Sequence, residues 1–198
     1  GLARDARLEG EATSRMIRLA EIAGVPVYFV HMSAKEALEA LMAARNRGAM
    51  AWAETCPQYL YLTIDDLGNG FNGAKFVCSP PLRTKDHAVE LWNALKRDDL
   101  QVVGTDHCPF DFHGQKEMGR GDFRKIPNGL PGVEERVDLM HQAVVDGRLT
   151  RERWVEVVST GPAKIFGMYP KKGVVAVGAD ADLVVYDPNR SHVLSAST

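Results

Sequence analysis

Two residues in this chain combine a reactive type with a telling position. His31 closes the apolar run Val25-Pro-Val-Tyr-Phe-Val30, and Asp106 closes Gln101-Val-Val-Gly-Thr105. An imidazole nitrogen and a carboxylate oxygen both bind divalent cations, and a carboxylate at a strand mouth can also act as a general base. Taken singly, each has a plainer reading: a lone histidine is commonly structural, and a lone aspartate commonly caps a helix or joins an ion pair. Together they gain weight, because each ends a strand of one predicted parallel sheet at the same face, where the pair can share a metal. His107 and Cys108 follow Asp106 directly. Adjacent strand residues point to opposite sides, so at most one of them shares the site. Cys108 lacks an identifiable base and reads as packing. Glu54 also ends a strand, where it either orients a ligand from behind or makes an ordinary ion pair. His87, His113, His141 and His192 fall on predicted helix or loop surface, and the mixed-charge stretch 116–124 reads as solvated loop.

The elements that must position these residues follow a simple alternation. Apolar residues at helical spacing predict a helix over 8–23, stopped by Gly24. The β-rich run 25–30 comes next. Ser33-Ala-Lys-Glu36 fits a capping box opening a helix that ends before Gly48. A strand over 49–55 follows, then a loop rich in glycine and asparagine (68–73), a short extended piece at 75–78, and a helix capped by Thr84. The strand 101–105 leads to Asp106. Strand, helix, strand, helix, strand is the grammar of parallel α/β architecture. The strands read as continuous apolar runs, which suits a sheet covered on both faces. Such sheets, closed or open, carry their sites at the carboxyl ends of the strands. Beyond Asp106 lies a long polar loop to residue 128, a helix over 133–146, a second near Thr150 and a third from Pro162. Two short strands, 173–178 and 181–186, then predict the edge of a separate β module, with a boundary near Tyr169-Pro170.

Composition bounds the reading. The 198 residues are 45% hydrophobic and 25% charged, enough to build a core. A net charge of −2 gives no electrostatic case for nucleic acid or an anionic membrane, and no apolar run approaches a membrane span of about 18 residues. Three cysteines without paired spacing favour a reducing, cytoplasmic compartment. The chain opens Gly1-Leu-Ala-Arg4 and stops soon after strand-like sequence, so it reads as an excerpt of a longer one.

Six motifs in fixed order carry a family resemblance: Tyr28-Phe-Val-His-Met-Ser33, Glu54-Thr-Cys-Pro-Gln-Tyr-Leu60, Cys78-Ser-Pro-Pro-Leu-Arg83, Gly104-Thr-Asp-His-Cys-Pro-Phe110, Ile126-Pro-Asn-Gly-Leu-Pro-Gly-Val-Glu134 and Gly178-Ala-Asp-Ala-Asp-Leu-Val184. From about Glu9 onward the chain resembles the D-hydantoinase/dihydropyrimidinase family of cyclic amidohydrolases. The resemblance implies a (β/α)8 barrel with two metal ions, usually zinc, at its carboxyl-terminal face, and a small β-sandwich domain. Residues 1–169 would supply the last three barrel strands and 170–198 part of the sandwich. His31 would be a metal ligand after the sixth strand. Asp106 would be a metal ligand after the eighth and the proton shuttle. Ser79 and Asn128 match positions whose backbone groups hold the substrate. The remaining ligands of the family, a histidine pair, a carboxylated lysine and a further histidine, have no counterpart in this chain, and neither has its oxyanion-stabilising tyrosine.

The implied reaction is the opening of a small cyclic amide, a 5-substituted hydantoin or a dihydropyrimidine, to an N-carbamoyl amino acid or ureido acid. Two cations would make a water acidic enough to ionise near neutrality, and an aspartate, anionic at pH 7, could take its proton and pass it to the departing nitrogen. A homotetramer is usual among relatives. Allantoinase and dihydroorotase share the barrel and both retained ligands, although the wording around Asp106 and Asn128 looks more like hydantoinase. The dihydropyrimidinase-like cytoskeletal scaffold proteins lack ligands at these two positions, so their presence here argues for an enzyme. Three strands cannot close a barrel of eight, and two ligands cannot hold two metals; the isolated chain is expected to be inactive.

Overall fold

A computed structural model describes residues 4–191, 193 and 195 and contains a three-stranded parallel sheet in the order β1-β2-β3. Strand β1 is Val27–Phe29, β2 is Ala51–Thr55 and β3 is Val102–Val103. Val27 pairs with Ala51 and Phe29 with Ala53, and Glu54 pairs with Val102. Parallel neighbours need long crossovers, and here these are helical. Helix α1 (Ala6–Ala23) precedes β1, α2 (Lys35–Arg45) links β1 to β2, and α3 (Pro57–Tyr61) with α4 (Lys85–Arg97) lies between β2 and β3. Helix α5 (Arg136–Val145) follows the long loop after β3.

Local chemistry sets these limits. Asp5 caps α1 by accepting the Arg7 N–H at 2.9 Å, and Gly24, at φ 67°, takes the left-handed turn that ends it. Gly10 marks where α1 crosses α2: a Cβ there would stand 2.8 Å from the Cβ of Glu36. Helix α4 buries Leu91, Trp92 and Leu95 against the core, and the Trp92 indole donates to the Leu60 carbonyl at 3.1 Å. Leu41, Leu91, Leu95, Leu100 and Val103 are fully enclosed, each aliphatic side chain contributing on the order of 2 kcal/mol.

The sheet is not covered equally. Along β2, Ala51, Ala53 and Thr55 are buried while Trp52 and Glu54 are half-buried, and all of β1 is half-buried. The expectation of strands hidden on both faces holds for β3, whose Val102 and Val103 are both buried, and fails for β1 and for one face of β2 among the described residues. The capping box at Ser33 does not form either. Glu9 of α1 accepts the Ser33 and Ala34 N–H groups at 2.8 and 3.0 Å, and His87 Nδ1 accepts the Lys35 N–H at 3.0 Å. Two distant side chains do what the local serine was expected to do, and His87 is buried rather than a surface residue.

Further along, residues 75–78 are not an extended piece; a 3₁₀ turn occupies Phe71–Phe76. The second and third helices after the loop merge. Helix α6 (Arg151–Val155) runs through a π-helical turn (Glu156–Thr160) directly into α7 (Gly161–Ile165). Pro162 has no N–H to return to the preceding turn, and the wider turn just before it accommodates that loss. Gly161 is required there, since a Cβ would come within 2.6 Å of the Gln101 carbonyl oxygen at the start of β3.

The two strands expected at 173–178 and 181–186 are not formed. Val175, Val177, Leu183, Val184 and Val185 are largely exposed, so this β-rich sequence finds no partner edge among the described residues. The segment is tethered instead by Thr160, whose hydroxyl donates to the Gly173 carbonyl at 2.7 Å, and by Tyr186, whose ring packs 5.2 Å from Trp154 and 4.8 Å from His141. His192 lies outside the described residues. Among the described residues no helix is long and apolar enough to cross a membrane.

Candidate functional site

His31 and Asp106 follow the two outer strands of the sheet, β1 and β3, at the same end, on either side of β2. Both have left-handed backbones, φ 42° at His31 and φ 48° at Asp106. Such angles cost a non-glycine residue about 1–2 kcal/mol and persist only where surrounding bonds impose them. Those bonds come from β2. The Met32 N–H donates to the Glu54 carbonyl at 2.8 Å, the Thr55 hydroxyl donates to the Met32 carbonyl at 2.8 Å, and the Gly104 N–H donates to the Thr55 carbonyl at 2.9 Å. The end of β2 therefore holds both flanking turns.

Beneath these turns the floor is neutral at pH 7. Burial pushes the Cys56 thiol and the Tyr59 phenol well above their ordinary ranges, and the nearby negative charge of Asp106 adds to both shifts. Burial also raises the Cys78 thiol to about 11. The Tyr59 hydroxyl donates to the Pro80 carbonyl at 3.0 Å. Cys108 is exposed, which corrects the reading of it as packing.

Glu54 accepts a hydrogen bond from the Tyr28 hydroxyl at 2.8 Å. Its charge offsets part of the burial that lowers the Arg136 guanidinium, which donates to the Val103 carbonyl at 3.0 Å. A Cβ at Gly104 would stand 2.8 Å from this carboxylate, so Glu54 explains why a glycine sits two residues before Asp106. His107 Nδ1 accepts the N–H groups of Gly132 and Val133 at 3.1 and 3.2 Å, tying the following loop to the Asp106 turn.

Ser79 and Asn128 are both exposed, on the loops after α3 and before α5. The Ser79 hydroxyl accepts from the Arg4 guanidinium, and the Asn128 amide donates to the Ile126 carbonyl at 3.3 Å. The two loops are joined by the Gly129 N–H, which donates to the Val77 carbonyl at 3.0 Å. Sequence reasoning missed the residue that underlies this junction. Lys116, in the stretch read as solvated loop, is 2% exposed, and its ammonium donates to the carbonyls of Val77, Pro127 and Gly129 at 3.0, 2.8 and 2.9 Å. Nothing in the mixed-charge sequence around it distinguishes this lysine from Lys125.

Among the described residues no three His, Cys, Asp or Glu side chains gather closely enough to hold a metal ion. His31 and Asp106 nonetheless fit the chemistry of a metal shell. One offers nitrogen and the other oxygen, and neither side chain is engaged in a hydrogen bond among the described residues. Two donors alone fall short of a complete metal shell.

The sequence pattern of the amidohydrolase family matches residues 14–197. The chain is 59% identical to a D-hydantoinase of Streptomyces coelicolor over 100% of its own length and 43% of that protein. A solved D-hydantoinase structure superposes with a TM-score of 0.95 at 53% identity, covering 100% of this chain and 43% of its own. The dihydropyrimidinase of Brevibacillus agri gives a TM-score of 0.87 at 49% identity, over 90% of this chain and 39% of its own. The chain thus spans well under half the length of the proteins it matches.

Proposed function

This chain belongs to the amidohydrolase family, and from that premise we propose that the intact protein is a metal-dependent hydrolase opening cyclic amide rings. Its substrates in this reading are 5-substituted hydantoins or dihydropyrimidines, and its products N-carbamoyl amino acids or ureido acids. The observation that carries the proposal is the likeness over the full chain to D-hydantoinases, with His31 and Asp106 both present at strand ends. Residues 1–169 would then form part of a (β/α)8 barrel and residues 170–198 part of a β-sandwich, whose partner strands would cover the exposed valines of 175–185.

Two divalent cations, zinc in this proposal, would supply Lewis acidity to the ring carbonyl and to an attacking water. His31 would hold a cation through a ring nitrogen and Asp106 through a carboxylate oxygen. Asp106 would also take the proton of the attacking water on Oδ and deliver it to the departing ring nitrogen. The backbone groups of Ser79 and Asn128 would bind the cyclic amide and fix the carbonyl for attack. The intact protein would be a cytoplasmic homotetramer, and the 198 residues alone inactive.

Asp106→Ala in the intact protein tests the reading. Ring opening of dihydrouracil and of a 5-substituted hydantoin should fall by roughly 10³-fold or more, with the fold retained by circular dichroism. Full activity in that variant would sink the mechanism. A wild-type protein that turns over only allantoin or dihydroorotate would move the substrate assignment, and one that purifies without metal by elemental analysis would favour a non-catalytic scaffold.

A further inference from the structure

Lys116 is the most completely buried cation in the described structure, and no carboxylate lies within ion-pair distance of it there. Removing an ammonium from water without a counter-charge is costly, so the arrangement needs a reason. All three acceptors are backbone carbonyls, and they belong to two separate loops. Pro127 and Gly129 flank Asn128 on both sides, and Val77 lies two residues before Ser79. The Val77 carbonyl accepts from both Lys116 and the Gly129 N–H. One ammonium therefore closes a bridge between the loops that bear the two substrate positions. The Phe110 ring, 5.6 Å from Nζ, covers it on the side of the Asp106 segment.

We propose that Lys116 is a positioning residue: its buried ammonium fixes the spacing of the Val77–Ser79 and Pro127–Gly129 backbones, so that the groups at Ser79 and Asn128 meet the cyclic amide together. This rests on the substrate reading above. A lysine suits the task because its compact head offers three donors in divergent directions, which matches three carbonyls approaching from two loops. Its burial lowers the proton affinity of the amine, and the three carbonyl acceptors are what the charged form gains in return.

The test uses the intact protein carrying Lys116→Met, which keeps an unbranched apolar stem and removes the donors. Amide hydrogen exchange at Gly129 should accelerate by about tenfold or more, because its bond to Val77 would no longer be held from the other side. With the hydantoin substrate KM should rise by about tenfold, while kcat stays within about threefold and bound metal is unchanged, the pattern of lost substrate binding. An unchanged exchange rate at Gly129, or a wild-type KM, overturns the proposal. So does a parallel loss of metal and kcat, which would place the lysine in support of the metal shell. Lys116→Gln retains a donor head and keeps the question open to measurement where the methionine variant does not fold; it should raise KM by a smaller factor, and a wild-type KM overturns the proposal equally. If the wild-type protein opens no cyclic amide, the substrate reading fails, and exchange at Gly129 still decides whether Lys116 holds the loops.

Discussion

The turns bearing His31 and Asp106 contrast with the cluster that starts helix α2. In the cluster, Glu9, Ser33 and Arg83 satisfy one another, while the buried Glu36 Oε2 has no hydrogen bond among the described residues and lies 3.6 Å from His87 Nδ1. The two Glu9 oxygens accept from the Ser33 and Ala34 N–H groups, the Ser33 hydroxyl at 2.6 Å and the Arg83 guanidinium at 2.9 Å. Arg83 also donates to Ser33 and to the Arg4 carbonyl. At the strand ends the side chains make no hydrogen bond among the described residues, and the backbone is left-handed. Glu9, Ser33 and Arg83 are partnered within the fold, whereas His31 and Asp106 have no such partner and sit on left-handed backbones, a difference that suits the ligand roles proposed for them. Comparing partners rather than residue types is what separates the two.

The contrast can be broken first at the partnered cluster. Arg83→Met removes one side of an ion pair whose side chains are only 10% and 17% exposed. Leaving the Glu9 carboxylate without its cation should cost about 3 kcal/mol of unfolding free energy, read from the urea midpoint of the intact protein. The two N–H groups at the start of α2 would still bind the carboxylate, so the loss should stop short of unfolding. A change below about 0.5 kcal/mol would mean that the Arg83–Glu9 pair holds the start of α2 no more firmly than an exposed ion pair would.

A smaller effect probes the open side. At φ 48°, Asp106→Gly should be more stable than Asp106→Ala by about 1 kcal/mol, because only glycine occupies that region without a clash. The same order should hold at His31, with φ 42°. In ordinary helix interiors the preference runs the other way, so thermal unfolding of the two pairs is diagnostic. An alanine variant as stable as the glycine one would show that these left-handed turns carry no strain.

The parallel sheet, its three strands and the placement of His31 and Asp106 after two of them were legible in the sequence because each rests on local signals. An apolar run ends on a polar residue, and glycine stops the helix at Gly24. What stayed hidden depends on distant partners. Ser33 and Glu36 have the spacing of a capping box, yet Glu9 lies 24 residues before Ser33 and binds the N–H groups first. Lys116 is indistinguishable from its charged neighbours until its three carbonyls are assembled from two loops. The strand pattern at 173–186 is genuine β-rich sequence, but a strand forms only with an edge to pair against. Local pattern states a preference, and tertiary contact decides whether it is met.

The finest contrast lies among the thiols around Asp106. Cys108 is exposed beside the site, while Cys56 and Cys78 form its buried floor. Iodoacetamide at pH 8 should modify Cys108 fastest, with Cys56 and Cys78 reacting only on unfolding, as mapped by mass spectrometry of the peptides. The raised Cys78 pKa also fixes a sign. In the unfolded chain this thiol ionises near 9.0 and in the folded protein near about 11. Its contribution to stability is therefore complete below 9.0 and is lost as pH climbs through about 11, since the unfolded state sheds its proton first. Cys78→Ala should flatten the alkaline fall in stability across that window, on top of a pH-independent loss from removing a buried side chain. Rapid labelling of Cys78 at pH 8, or an alkaline fall unchanged in the alanine variant, would show that the floor is open to water, and the distinction between a dry base and an exposed mouth would not hold.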